Sequence, residues 1–348
     1  MAPLVRVLGE RPGFEVVTCV TAQHRQMLDQ VLEWFHITPD YDLNLMQPDQ
    51  TLAGLTARTL QGVTETLQVV GPDVVLVQGD TTTAMTAAMA AFYLRVPVGH
   101  VEAGLRTYDR YNPFPEEINR HLISVMATYH FAPTQTARDA LLAENVPPGS
   151  IFVTGNTVID ALQWTVAQPY QLDLNLPLGV PGERLILVTA HRRESFGPNF
   201  ESICRALREI AERNPGVRLV YPVHLNPNVQ EPVYRILGNA ERVHLIDPLP
   251  YPAFAHLMNR SALIITDSGG LQEEAPALGK PVLVMRRTTE RPEAIAAGTA
   301  RLVGTATAAI VEAAQELLHD PDAYRTMANA VSPFGDGHAA ERIAAVLA

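Results

Sequence analysis

The sequence holds a single lysine. Lys280 stands alone among 26 basic residues, and the rest are arginine. That usage fits a genome-wide composition bias. Cysteine is nearly as scarce: Cys19 and Cys204 lie far apart and offer neither metal-ligand nor redox spacing. A reduced, cytoplasmic setting is the expectation. Charged residues make up only 18%, and the balance is acidic, 26 − 37 = −11. Neither nucleic acid nor an anionic membrane surface is therefore an expected partner. No apolar run approaches membrane-spanning length, and no signal peptide is visible. What is present is ordinary globular material. The chain has 348 residues, 47% of them hydrophobic, which suggests two domains with a core each.

Apolar strand-like runs alternate with helix-like segments throughout. A first set reads EVVTCV (15–20), DVVLVQ (73–78), VPVGHV (96–101), YHFAPT (129–134) and SIFVTG (150–155). Helical periods fill 22–35, 51–70, 82–94 and 116–127. A second set reads RLILVTA (184–190), VRLVYPV (217–223), VHLI (243–246), ALIITD (262–267) and PVLVM (281–285). Continuous Val/Ile/Leu strands alternating with helices predict parallel sheets covered on both faces. The Pro- and Gly-rich segment 167–183 reads as a linker. The expected fold class is α/β, with two doubly wound, Rossmann-like domains. The first spans 1–166 and the second 184–336. The opening MAPLVRVLGERPGF reads as a helix before any strand, so the first domain is expected to lack its first strand.

In such sheets ligands bind beyond the carboxyl ends of the strands, so those positions are the candidates. After DVVLV come Gly79 and Asp80; Asp80 is either functional or a turn and cap residue. After VPVG comes Glu102, flanked by His100 and Arg106. A carboxylate leaving a buried strand is costly unless paired, so it is either an acid–base group or half of a structural Glu102–Arg106 pair. The long loop 105–115 ends at Glu116 and Glu117, which would ordinarily serve the helix dipole. After RLILVT, the run AHRRESFG brings His191 and two arginines, an anion-binding candidate in an acidic chain. His224 after VRLVYPV is a weaker one.

The stretch TDSGGLQEEAPALGKP (266–281) offers donors from Ser268, Gly269 and Gly270 for a phosphate. It matches neither an ATP-type phosphate loop nor a dinucleotide fingerprint. Glu273 and Glu274 are either plain first-turn residues or, for one of them, a ribose acceptor. Arg286, Arg287 and Arg291 follow the next strand and could complete a diphosphate seat.

Taken in order, QGDTTT, GHVEAGLRT, PFPEEINR, YHFAPT, VTGNTVIDAL, HRRESFG, TDSGGLQEEAPALGKPVLVMRRTTERPEA and PFGDGHAAERI closely resemble the non-hydrolysing UDP-N-acetylglucosamine 2-epimerases. The resemblance implies a glycosyltransferase-B type fold with its site in a cleft, and a C-terminal helix (337–348) returning to the first domain. It implies an isomerase that interconverts UDP-GlcNAc and UDP-ManNAc through elimination of UDP and re-addition, in cell-surface polysaccharide biosynthesis. Asp80, Glu102 and Glu116 become acid–base candidates, and His191 a contact to the diphosphate. Which carboxylate removes the C2 proton stays open. Ser268, Gly269 and Gly270 would hold phosphate, Glu274 the ribose, and Arg291 the diphosphate or uridine side. No cofactor and no metal are implied. A homodimer is expected from the family. So is an effector site for UDP-GlcNAc at Gln23, Gln26, Glu116, Arg192 and His224, although Asp49 departs from the arginine some members carry.

Two alternatives remain: a hydrolysing 2-epimerase that releases ManNAc, and a non-catalytic nucleotide-sugar-binding relative. The family normally opens with a strand and a Gly-Thr-Arg-Pro-type loop, and this sequence begins at MAPLV. On the resemblance, a chain without them is expected to be poorly stable or nearly inactive.

Overall fold

The computed structural model describes residues 1–22, 25–47, 50–174 and 182–348, without the side chains of Gln26 and Met27. It divides into two compact units. The first comprises Met1–Ala161 with Phe334–Ala348, and the second Leu162–Pro333. The division falls within the helix Thr157–Ala167, and most of the segment read as a linker, 175–181, lies outside the described residues.

The first unit contains β1 (Cys19–Val20), β2 (Tyr41–Asp42), β3 (Val75–Gln78), β4 (Val98–Val101), β5 (Tyr129–Ala132) and β6 (Ile151–Val153). All its pairings are parallel, but they form two sheets: β1 with β2, and β3-β4-β5-β6 in that order. Among the described residues the free edge of β3 carries no strand. The run EVVTCV accordingly yields only Cys19–Val20 as strand, because among the described residues its one ladder partner is the two-residue β2. The short β2 has no apolar run to announce it.

The helix Ala2–Gly9 buries Leu4 and Leu8 against Ile343 and Ala344 of the C-terminal helix Ala339–Leu347. That helix is capped from a distance. The buried Asp160 carboxylate accepts from the amides of Ala340 (2.8 Å) and Ala339 (3.2 Å), satisfying donors that a helix start leaves orphaned. Burial still pushes the Asp160 acid up, and the two amides only partly offset it. The neighbouring crossing is tight: a Cβ on Gly155 would sit 3.1 Å from the Gly335 Cα.

The second unit contains β7 (Arg184–Thr189), β8 (Val217–Pro222), β9 (Val243–Ile246), β10 (Leu263–Thr266), β11 (Val282–Val284) and β12 (Ala300–Leu302). They form one parallel sheet in the order β12-β11-β10-β7-β8-β9. Ile186, Leu187 and Val188 of β7 are all fully buried, as expected where helices cover both faces. The helix Pro198–Arg213 packs Phe200, Ile203, Cys204, Leu207 and Ile210 into this core, a helical spacing of apolar positions. Burial pushes the Cys204 thiol up to about 12, so it stays an inert core thiol. The two units are the Rossmann-like parts of a glycosyltransferase-B type fold. Among the described residues no helix is long and apolar enough to cross a membrane.

The core placement of Phe200 sets an expectation. Phe200→Ala should cost ~3–5 kcal/mol, read as a lower urea midpoint for the second unit. A variant with an unchanged midpoint would contradict this packing.

Candidate functional site

The strand order of the second unit reverses between β7 and β10. The strands that follow β7 in sequence go to one side, and those from β10 onward go to the other. The loops after these two neighbours therefore diverge, leaving a crevice at a topological switch point. The two strands are in register up to Thr189 and Thr266, whose hydroxyls meet at 2.6 Å. The next residues on each side are Ala190, His191 and Arg192, and Asp267, Ser268, Gly269 and Gly270.

Asp267 joins the two loops. It is fully buried, and its Oδ2 accepts from the amides of His191 and Arg192, both at 2.7 Å. Such charge-assisted bonds stabilise by about 1.5–3 kcal/mol each, which offsets the cost of burying the carboxylate. Oδ1 has no hydrogen bond among the described residues and faces His191 Nδ1 at 3.6 Å. The preceding carbonyl, of Ala190, is held by the buried Tyr221 hydroxyl at 2.6 Å. Burial lowers the His191 pKa, Asp267 opposes that, and the charges of His224 and Arg192 add to it. The imidazole is therefore neutral at neutral pH, and a proton taken up there would find Asp267 beside it. His224, from the end of β8, stacks on His191 with centroids 5.3 Å apart and an interplanar angle of 13°.

On the other side of the crevice, the Ser268 amide is tied back to Thr266 Oγ1 (2.9 Å). That leaves the Ser268 hydroxyl and the amides of Gly269 and Gly270 without an acceptor among the described residues. The Arg192 guanidinium and the Glu290 carboxylate both border Gly269, 3.6 and 3.9 Å from where its Cβ would be. Arg192 and Gly269 thus combine a cation with free donors, a composition suited to a phosphate.

The paired glutamates separate into two roles. Glu273 is buried and bonded to Arg291 Nε, so Arg291 is engaged inside the loop. Glu274 has no ion-pair partner among the described residues, and its Oε2 lies 3.7 Å from the Cβ position of Gly270. Burial pushes it up to about 8, with repulsion from Glu273 adding to the shift. Arg286 does not present a free guanidinium. It grips Glu290 through two bonds (2.6 and 3.1 Å) and Glu194 through a third (2.8 Å). Burial of Glu290 works against its ionisation, but Arg286 prevails and holds it down at about 2. Arg287 is exposed.

In the first unit, Asp80 and Glu102 lie at the ends of the adjacent strands β3 and β4. Glu102 has φ +65°, a left-handed conformation that costs a non-glycine residue about 1–2 kcal/mol. Its Oε2 lies 3.5 Å from where a Cβ on Gly79 would be, and its Oε1 accepts from Asn156 Nδ2 at 3.4 Å. Arg120 donates to Asp80 Oδ2 from Nε (2.9 Å), with Nη2 in ion-pair contact at 2.7 Å, and donates to Glu117 Oε2 from Nη1 (2.9 Å). Glu117 is almost wholly buried and also accepts from the amides of Thr107 (3.1 Å) and Tyr108 (2.8 Å). Burial opposes its ionisation, but these amides and Arg120 outweigh it and lower its pKa. Glu117 thus anchors the long loop to the helix Glu116–Met126. Glu116, one residue earlier, is half-buried with no hydrogen bond among the described residues. The Glu102–Arg106 pair does not form: Arg106 is bidentate to Glu144 (2.7 and 2.7 Å).

Of the effector candidates, Arg192 and His224 lie in the His191 cluster. Gln23, the side chain of Gln26, and Asp49 are outside the described residues. Asp267, Glu290 and Arg120 were not singled out from sequence, and Glu117 was read only as a helix-dipole residue. The strand-end rule reaches Asp267, which directly follows LIIT. Arg120 is recognised only through its distant partner Asp80.

The UDP-N-acetylglucosamine 2-epimerase family model matches residues 6–348. The chain belongs to the UDP-N-acetylglucosamine 2-epimerase family. It is similar to the UDP-N-acetylglucosamine 2-epimerases of Escherichia coli and Salmonella typhimurium, at 59% identity to each over 350 residues, covering 99% of this chain and 93% of each relative. The crystal structure of UDP-GlcNAc 2-epimerase from Neisseria meningitidis bound to UDP-GlcNAc superposes with a TM-score of 0.90 at 47% identity, covering 100% of this chain and 95% of that one. Epimerase activity on UDP-N-acetylglucosamine follows from membership.

Glu274 gives this site a pH signature. Its folded pKa lies above the unfolded value of 4.5, so its contribution to stability is full below about pH 4.5 and is lost as pH rises towards about 8. Glu274→Gln should remove this loss. Its Tm is expected to exceed that of the parent chain by a few degrees, roughly, above about pH 8. Coincident Tm–pH curves would contradict the assignment.

Proposed function

We propose that the chain interconverts UDP-GlcNAc and UDP-ManNAc without net hydrolysis, by elimination and re-addition of UDP. The observation that carries this reading is the pair Asp80 and Glu102 at adjacent strand ends, in a chain whose second unit has an anion-binding crevice. The C2 proton of the sugar is only weakly acidic, so its removal needs a positioned base. In the proposed step a carboxylate of the first unit takes that proton. The C1–O bond breaks, a C1–C2 double bond forms, and UDP leaves 2-acetamidoglucal. A proton then returns to the opposite face of C2, and UDP oxygen re-adds to C1. No water is consumed.

The leaving diphosphate carries the developing charge. We assign its stabilisation to His191, Arg192 and the donors of Ser268, Gly269 and Gly270, fixed in advance of the reaction. Glu274 is assigned to the ribose: a diol offers two donors to a carboxyl group that has no ion-pair partner among the described residues. Arg291 supports this region through Glu273. Glu116 completes the acid–base set. Activation by a second UDP-GlcNAc through Arg192 and His224, and a homodimeric assembly, belong to the same proposal.

Turnover of UDP-GlcNAc in D2O separates the readings. NMR is expected to show UDP-ManNAc with deuterium at C2, and deuterium appearing at C2 of the residual UDP-GlcNAc. Free ManNAc and UDP in place of UDP-ManNAc would identify hydrolysis. Tight UDP-GlcNAc binding with no deuterium uptake would leave a binding protein. Asp80→Asn and Glu102→Gln should each lower kcat by about 100-fold or more while UDP binding changes little.

A further inference from the structure

Among the buried titratable groups that the reaction scheme leaves unused, one lies beside Asp80 and Glu102. His100 lies in the middle of β4, fully buried, two residues before Glu102. Its Nε2 is 2.8 Å from the carbonyl oxygen of Gly79. A carbonyl only accepts, so Nε2 carries the proton and donates. Nδ1 is then a bare acceptor, with no hydrogen-bond partner among the described residues.

Gly79 is the turn residue between β3 and Asp80. Its φ is +72°, a conformation glycine adopts freely and other residues rarely do. Strand β4 holds this residue from both ends. The Gly79 amide donates to the Val101 carbonyl at 3.0 Å, and the Gly79 carbonyl accepts from His100. The next carbonyl, of Asp80, accepts from Asn119 Nδ2 at 2.8 Å, and Arg120 holds the Asp80 carboxylate. The turn is thus fixed at successive peptide groups. His100 reaches it by a hydrogen bond from the strand that carries Glu102.

The imidazole leaves one orphaned buried acceptor, Nδ1, which costs free energy, and an apolar side chain would instead leave the Gly79 carbonyl without this donor. What the imidazole adds is a donor at the Gly79 carbonyl. Burial lowers its pKa to about 3, so it remains neutral across the working pH range and does not exchange protons with substrate.

We propose that His100 is a positioning residue for epimerisation: its Nε2–H bond to the Gly79 carbonyl sets the turn that aims the Asp80 carboxylate, and couples that turn to the strand bearing Glu102. This rests on the assignment of Asp80 to the chemistry. Small misplacement of a reacting group costs rate on the order of 100-fold, whereas the nucleotide is held by other residues.

The test compares His100→Gln, His100→Asn and His100→Leu with Asp80→Asn in the full chain. Glutamine places an N–H donor close to the position of Nε2, asparagine is polar but too short to reach, and leucine fills space without donating. The expected result is a kcat about 10- to 100-fold lower for asparagine and leucine, with KM for UDP-GlcNAc within about 3-fold of the parent. Glutamine should restore kcat to within about 10-fold. Each variant is also checked by its Tm, and the asparagine–glutamine comparison stands if the leucine variant does not fold. Unchanged kcat in His100→Asn beside a strongly impaired Asp80→Asn would overturn the positioning role. So would equal losses in glutamine and asparagine that track a falling Tm. If Asp80→Asn itself turns over normally, the catalytic assignment of Asp80 is what fails.

Discussion

The second unit depends on a carboxylate buried between two diverging loops. Parallel strand order sends the chain to opposite sides after β7 and β10, so the two loops diverge beyond the last ladder contacts of these strands. Asp267 does so with two 2.7 Å bonds to backbone amides. The same geometry orients the site. With Oδ2 occupied, Oδ1 is left facing His191, and His224 stacks on that ring. A neutral imidazole with a carboxylate at 3.6 Å is suited to meeting charge that develops on a leaving phosphate, because protonation would draw the two together.

The first unit solves a related problem with a different charge pattern. Its strand-end carboxylates, Asp80 and Glu102, sit in an acidic chain, where like charges would repel. Arg120 bridges Asp80 and the buried Glu117, and Glu117 in turn holds two loop amides. One cation thereby orders the Asp80 carboxylate, a helix start and the long loop. Arg106, which could have neutralised Glu102, is instead engaged by Glu144. Glu102 keeps its strained backbone and lies close to the Gly79 turn.

Much of this was legible in the sequence, for physical reasons. Fully buried parallel strands must be continuous apolar runs, so β7, β8 and β10 stood out. Ligands gather at strand ends, so Asp80, Glu102, His191 and the Ser268–Gly270 turn could be named from position alone. Short strands escaped: β2 and β12 have two and three residues and no apolar run. The partners escaped as well. Asp267 and Arg192 are 75 residues apart, and Asp80 and Arg120 are 40 apart, so no local spacing links them. Glu273 and Glu274 are neighbours with identical side chains. Only the fold distinguishes the one paired with Arg291 from the one facing the glycine turn.

On the proposed function, Asp267 builds the diphosphate-binding crevice by joining its two loops. Calorimetric titration of UDP into Asp267→Ala, with circular dichroism confirming a folded chain, tests it most directly. The account predicts a Kd weakened by at least about 10-fold, equivalent to about 1.4 kcal/mol. A folded variant that binds UDP with the affinity of the parent chain would contradict it.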